Sequence, residues 1–421
     1  MPRLLYTLLW ILALPLVGLR LLWRARRQPG YLEALGERLG HHRAPAPTKV
    51  IWLHAVSVGE TRAAAPLIQA LRARWPEHTV LLTQMTPTGR ETARALFGDD
   101  PGLRIAWLPY DLPFFTRRFL AHFRPRLGII METELWPNLL LSAQAAGVPV
   151  VLANARLSER SARRYARWPA LARLTVGALD AIGAQTADDA RRLQQIGAQT
   201  VELTGNLKFD IPPPDSRAAL AAPFRSLLGQ RPVVLAASTR DGEEALLLDA
   251  FLQAAPAEAL LVIVPRHPQR FDEVAALIRA RGLTPARRSL KETVEAHTRV
   301  WLGDSMGEMF RYYAIADVAL IGGSWLPFGG QNLIEACAVG TPAVIGPHTF
   351  NFLQVAEQAV ACGAAIRAPD AAAGMQAALA LLADEPARAR AAAAGLAFTA
   401  EHRGATARTM ALLEARIHDR G

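Results

Sequence analysis

The chain has 421 residues, with 47 Lys+Arg against 37 Asp+Glu and a formal net charge of +10. Hydrophobic residues make up 51% and charged residues 20%, which excludes a disordered chain and predicts two or three domains. Two cysteines, Cys337 and Cys362, with no CxxC or Cys/His cluster, exclude a disulfide scaffold and a cysteine-ligated zinc site.

Residues 4–19, LLYTLLWILALPLVGL, carry no charge and are followed by Arg20, Arg24, Arg26 and Arg27. The run lies at the lower edge of a membrane span, which takes about 17–25 residues. No small-x-small cleavage pattern marks it as a signal peptide. Arginines on its carboxyl side place the main body on the cytoplasmic face. Pro15 leaves open a kinked helix that enters one leaflet only. Residues 31–40, YLEALGERLG, predict a short amphipathic helix.

From Val50 onward short β-rich runs alternate with helical stretches. Strands are predicted at 50–56, 79–84, 104–109, 127–131, 148–153 and 200–205, and helices at 60–75, 135–146 and 187–196. The proline-rich FDIPPPD (209–215) interrupts the pattern. It restarts with strands at 232–237, 259–264, 317–322 and 342–346, and an Ala/Arg-rich helical tail follows Asp370. The alternation predicts an α/β protein with two parallel-sheet domains. The expected boundaries are an anchor helix at 1–27, a first Rossmann-like domain at 28–210, a linker at 211–223, and a second at 224–421 that includes the terminal helices. Ligands of such sheets bind beyond the carboxyl ends of the strands, so a cleft between the domains is expected.

The polar motifs fall at those strand ends. HAVSVGE (54–60) leads from a strand into a helix, with Glu60 at the helix start. A carboxylate there suits a general base, or only a favourable charge on the helix dipole, with Ser57 as cap. METELWPN (131–138) puts Glu132 and Glu134 after the strand LGIIM. TGNLKFD (204–210) holds Lys208, one of three lysines among the 47 basic residues. A compact ammonium retained in an arginine-dominated chain points to a site that a guanidinium does not fit.

In the second half, STRDGEE (238–244), VPRHPQRF (264–271), GDSMGEMF (303–310) and GGSWLPFGGQNLIEA (322–336) follow strands. Arg266 ends one strand. Asp304 or Ser305 is the expected cap of the next helix, followed by Met306, Gly307 and Glu308. A helix is expected over 332–339, with Glu335 placed to accept ribose hydroxyls. Glycine-rich loops before helices can cradle phosphate, although neither a Walker A nor a GxGxxG pattern occurs. The second domain is therefore the expected nucleotide side. The basic excess suits an anionic membrane surface or anionic substrates. No zinc-finger, RRM or KH signature is present, so nucleic acid is not an expected partner.

Taken in order, HAVSVGE, MTPTG, METELWPN, NARLSERS, GNLKFD, VPRHP, GDSMGE, GGQNLIEA and PHTFNF resemble the 3-deoxy-D-manno-octulosonic acid (Kdo) transferases of lipopolysaccharide biosynthesis. The resemblance covers nearly the whole chain. Gln331 and Leu333 depart from a GGHNPLEA-like stretch that the family often shows. The resemblance implies a GT-B glycosyltransferase on the cytoplasmic side of the inner membrane. It implies inverting transfer of Kdo from CMP-Kdo to the 6′-hydroxyl of a tetra-acylated lipid A precursor, with no cofactor and no essential metal. By motif, Glu60 is the implied base, and Glu132 and Lys208 stabilise the transition state. CMP contacts map to Pro265, Arg266, Met306, Gly307, Glu308, Asn332, Leu333, Ile334 and Glu335. A same-fold alternative is another membrane-associated glycosyltransferase that uses a UDP-sugar. A different-class alternative is a noncatalytic membrane-associated binding protein.

Overall fold

The structure, a computed structural model, describes residues 1–26, 28–213 and 215–417. Arg27 of the basic cluster and Pro214 of the proline-rich break lie outside them. The chain forms two compact units. The first holds Met1–Ile211 and the chain from Arg403 onward, and the second holds Pro212–His402.

The first unit is built on strands β1 (Val50–His54), β2 (Thr79–Gln84), β3 (Leu103–Trp107), β4 (Leu127–Met131), β5 (Val150–Ala155), β6 (Ala181–Ala184) and β7 (Val201–Leu203). All neighbours are parallel, in the order β3-β2-β1-β4-β5-β6-β7. β1, β4 and β5 are buried at every residue, which explains their largely apolar sequences, with polar His54 and Asn154 only toward the carboxyl ends. The chain runs outward from β1 through β3, then returns to β4 on the other side of β1. That reversal, between β1 and β4, is the place where an open α/β sheet binds ligands.

The second unit repeats the plan with β8 (Val233–Thr239), β9 (Leu260–Pro265), β10 (Ala286–Arg287), β11 (Val300–Leu302), β12 (Val318–Ile321), β13 (Ala343–Ile345) and β14 (Ala365–Arg367). The order is β10-β11-β9-β8-β12-β13-β14, again all parallel, with the reversal between β8 and β12. These are two Rossmann-like domains of the GT-B class.

The single amphipathic helix expected at 31–40 is broken. A 3-10 turn at Pro29–Leu32 is followed by a short helix at Leu35–Arg38, with Ala34 at φ 48° between them. Tertiary contacts with one residue override the helical pattern. Trp107 donates its indole N–H to the Glu33 carbonyl at 2.8 Å and its backbone N–H to the Glu37 carboxylate at 2.8 Å. The Arg38 guanidinium lies 3.9 Å from the centre of the same indole.

The terminal helices do not all stay with the second unit as expected. Ala371–Ala383 and Glu385–Glu401 do, but Ala405–Ile417 returns to the first, where Leu412 and Leu413 join the core on β1, β4 and β5. Asp210 anchors that return by accepting the backbone N–H of Gly404 at 2.7 Å and of Thr406 at 2.5 Å. Nor does the expected linker at 211–223 stand apart from the second unit, which begins at Pro212. The helix Arg217–Leu228 belongs to the second unit, and Arg217 donates to the carbonyls of Ala314, Ala316 and Gly340. Asp210→Ala is expected to weaken the last helix by about 1 kcal/mol through loss of this cap. Amide exchange over 405–417 reads the change directly, and an unchanged rate contradicts it.

Candidate active site

Glu60 lies in the first turn of the helix Val58–Arg74, directly after β1. Ser57 and Glu60 form a variant of the capping box, in which the carboxylate takes the N–H of Val56 instead of that of the cap residue. The Ser57 hydroxyl accepts the Glu60 backbone N–H at 3.4 Å and donates to Glu60 Oε1 at 3.0 Å, while the Val56 N–H donates to Oε2 at 2.8 Å. Each carboxylate oxygen thus accepts one of these bonds and has lone-pair capacity beyond it. Burial pushes the Glu60 carboxyl up to about 7, and the nearby Glu132 charge adds to the rise.

Glu132 follows β4 on the other side of the strand reversal, at φ 56°. A left-handed backbone on a non-glycine residue is costly and collects at functional sites. Its N–H donates to the Ala153 carbonyl at 3.0 Å, which fixes where the side chain leaves the sheet. The Lys208 ammonium donates to Glu132 Oε1 at 3.1 Å, and both side chains are 17% exposed. Burial opposes ionisation of Glu132, but Lys208 and then Arg156 outweigh it and hold the carboxyl below its usual range. Glu134 goes the other way. Burial raises its carboxyl even though the Trp136 indole donates to it at 2.9 Å.

Lys208 sits in the 3-10 turn Leu207–Asp210, held at two points. Asn206 Oδ1 accepts the Lys208 N–H at 3.0 Å, and Asn154 Oδ1 accepts the Leu207 N–H at 3.0 Å. Asn154 is fully buried at the end of β5, at φ 53°. Sequence reasoning assigned it no role. Its signal was a polar residue inside an otherwise apolar strand. The first unit therefore brings Glu60, Glu132 and Lys208 together at the strand reversal.

In the second unit the expected nucleotide residues all lie at carboxyl ends of strands. Pro265 closes β9, and the Arg266 N–H donates to the Thr239 carbonyl at 2.9 Å. Met306 and Gly307 are exposed after β11, with Gly307 at φ 82°. Glu308 is fixed by Arg288 and Arg311, each at 2.9 Å. Asn332 Nδ2 donates to Glu335 Oε1 at 3.2 Å, and Asn332 Oδ1 accepts the Ile334 N–H at 3.1 Å. Leu333 and Ile334 are buried as whole residues, at 1% and 2% exposure.

Three local expectations change. The helix at 332–339 is shorter, Ile334–Ala338. Asp304 does not cap the next helix: it accepts from Arg287 at 2.7 Å and from the Ser289 N–H and hydroxyl at 2.8 and 2.6 Å. Ser305 instead bonds the Tyr312 hydroxyl at 2.8 Å, and Met309–Ile315 starts without a side-chain cap. Of the glycine pair 322–323, Gly323 serves a protein anion, while the Gly322 N–H donates to the Ala237 carbonyl at 2.8 Å. The buried Glu243 carboxylate accepts the N–H groups of Gly323, Trp325, Leu326 and Arg240 at 2.6–3.3 Å. Sequence could not separate this internal anion from an external phosphate, because both need the same backbone. Among the described residues, no three His, Cys, Asp or Glu side chains are grouped to hold a metal ion.

Comparison with known proteins bears on both units. Residues 33–211 match the model of the 3-deoxy-D-manno-octulosonic-acid transferase family (kdotransferase), and residues 284–397 match glycosyl transferases group 1. A 3-deoxy-D-manno-octulosonic acid transferase of Bordetella pertussis is 50% identical, covering 98% of this chain and 99% of that one. The chain belongs to the Kdo transferase family. It is accordingly an enzyme, a glycosyltransferase. A Kdo transferase of Haemophilus influenzae is 37% identical over 98% of both chains. A solved glycosyltransferase from Rickettsia africae ESF-5 shares the fold at a TM-score of 0.59 and 11% identity, covering 90% of this chain and 100% of that one.

The Glu132–Lys208 pair gives a stability test for the transferase. Lys208→Met leaves a buried carboxylate without its main counter-charge and is expected to cost about 3 kcal/mol near pH 8. The loss should shrink as pH falls, because Glu132, no longer held below its usual range, takes up a proton in the folded variant. Denaturant midpoints at pH 8 and pH 5 check this, and an equal loss at both contradicts it.

Proposed function

We propose that this enzyme moves Kdo from CMP-Kdo to the 6′-hydroxyl of a tetra-acylated lipid A precursor in lipopolysaccharide biosynthesis, with inversion and Glu60 as base. The observation that carries the reading is the Glu60 carboxyl, pushed to about 7 beside a charge-paired Glu132 and Lys208. A base with that affinity is mostly ionised just above neutrality and still accepts a proton readily.

In the proposed step the acceptor hydroxyl gives its proton to Glu60 while its oxygen bonds the anomeric carbon of Kdo. The bond from that carbon to the phosphate oxygen breaks, and its electron pair leaves with CMP. The anomeric centre gains oxocarbenium character, which the Glu132 carboxylate favours electrostatically. Lys208 keeps Glu132 ionised, and its ammonium is also suited to the carboxylate that Kdo carries. Arg266, the amides around Gly307, and the Asn332–Glu335 turn are the proposed CMP contacts, with Pro265, Met306 and Glu308 framing them. Leu333 and Ile334, buried behind that turn's polar groups, are the remaining residues of the proposed CMP set. No cofactor beyond the donor, and no metal, enters the proposed step. The helix Pro2–Ala25, long and apolar enough to cross a membrane, is the proposed anchor to the anionic cytoplasmic leaflet of the inner membrane. No step of the proposed reaction calls for nucleic acid.

Glu60→Gln keeps the shape of the capping box and removes the base. It is expected to lower kcat by about 10²–10⁴ while CMP affinity stays within about twofold. Undiminished turnover removes Glu60 from the mechanism. For the wild type, log kcat/KM should rise with pH and level off above about 7, since only ionised Glu60 accepts the proton. A profile flat from pH 5 to 8 contradicts this assignment.

A further inference from the structure

Next to the Glu132–Glu134 loop the first unit carries a groove of about 1100 Å³. That exceeds the roughly 300–1,000 Å³ of ordinary small-molecule pockets. One wall is the N-terminal helix, through Leu5 and Leu9. The opposite wall is the helix Pro169–Val176 and the residues just before it, through Tyr165, Trp168 and Leu171. Glu134 and Trp136 also line it, so the groove adjoins the catalytic carboxylates.

Two observations say what fills it. The first is continuity with an exposed apolar surface. Leu5 and Leu9, 47% and 52% exposed, belong both to the groove wall and to the apolar helix, on which Leu4, Leu8, Leu12 and Leu16 are also exposed. The amino-terminal end of that helix is fastened to the unit. Arg3 and Thr7 bond Asn138 at 3.0 and 3.2 Å, Tyr6 donates to buried Asp111 at 2.8 Å, and Trp10 donates to Tyr6 at 2.7 Å. Its carboxyl-terminal end runs into the 29–38 segment that Trp107 holds. A helix held at both ends on one body lies along the bilayer surface, since crossing would carry one end about 30 Å away.

The second is charge. Arg160, Arg163, Arg164 and Arg167 line a neighbouring depression, and Arg164 and Arg167 also line the groove. Across residues 156–168 Glu159 is the only acidic residue. An apolar slot rimmed by guanidinium groups fits an acyl chain attached to a phosphorylated headgroup, because guanidinium pairs with phosphate oxygens in a planar fork.

We propose that this groove takes an acyl chain of the phosphorylated glycolipid acceptor out of the bilayer, with Arg164 and Arg167 on its phosphate, and thereby sets the sugar hydroxyl beside the catalytic carboxylates. The proposal rests on the transferase reading for the identity of its occupant. It makes the acyl chain a positioning element, since an anchored chain limits where the sugar can sit.

The test compares two acceptors, the tetra-acylated bisphosphorylated glucosamine disaccharide and the same disaccharide with its acyl chains removed. Leu171→Glu puts a charge in the groove, and Leu171→Gln serves if that variant does not fold. The ratio of kcat/KM for the acylated over the deacylated acceptor is expected to fall about tenfold or more, the loss of two buried methylenes. An unchanged ratio overturns the proposal. Should the wild type transfer Kdo to neither acceptor, the transferase reading fails, and binding decides the groove separately. Tryptophan emission is then followed as the tetra-acylated disaccharide with brominated chains is added. Quenching that Leu171→Glu abolishes upholds an acyl site without transfer, and quenching that is absent, or equal in both proteins, overturns it.

Discussion

The bond from Lys208 to Glu132 is the constraint on which the first unit's chemistry depends. It joins the end of β4 to the turn beyond β7, 76 residues later in the chain. The pair lets a buried carboxylate stay charged where two further carboxylates, Glu60 and Glu134, are both pushed toward neutrality. Without the ammonium, three acids beyond the carboxyl ends of β1 and β4 would repel or protonate together. With it, one is fixed as an anion and the others stay responsive. The left-handed backbones at Glu132 and Asn154 are the strain accepted to hold that arrangement.

Part of this was legible in the sequence. β2 and β4 match their expected spans, because buried parallel strands are short, apolar and bounded by polar turns. Glu60, Glu132 and Lys208 were visible as polar residues at strand ends, and the scarcity of lysine singled out Lys208. For Glu60 the cap and the proposed base are compatible. The capping bonds occupy a lone pair on each oxygen, and the same burial that makes them worthwhile raises proton affinity.

The rest was hidden for physical reasons. β6 reads AIGA and β11 reads VWL, too short for an alternation or a run to register. The last helix carries Leu412 and Leu413 for a core, but nothing in an apolar face says which core it serves. The segment at 31–40 has a helical pattern that yields to one tryptophan. Gly323 serves an internal carboxylate, a partner that lies 80 residues away in sequence. In each case the deciding partner is distant, and local pattern holds no record of it.

The most direct measurement is mass spectrometry of a reaction holding the purified protein, CMP-Kdo and tetra-acylated lipid A precursor, with EDTA present. The expected result is an acceptor heavier by one or more Kdo units, together with released CMP. An unchanged acceptor, with protein that still binds CMP and after a metal-replete repeat, would contradict the assignment of donor and acceptor.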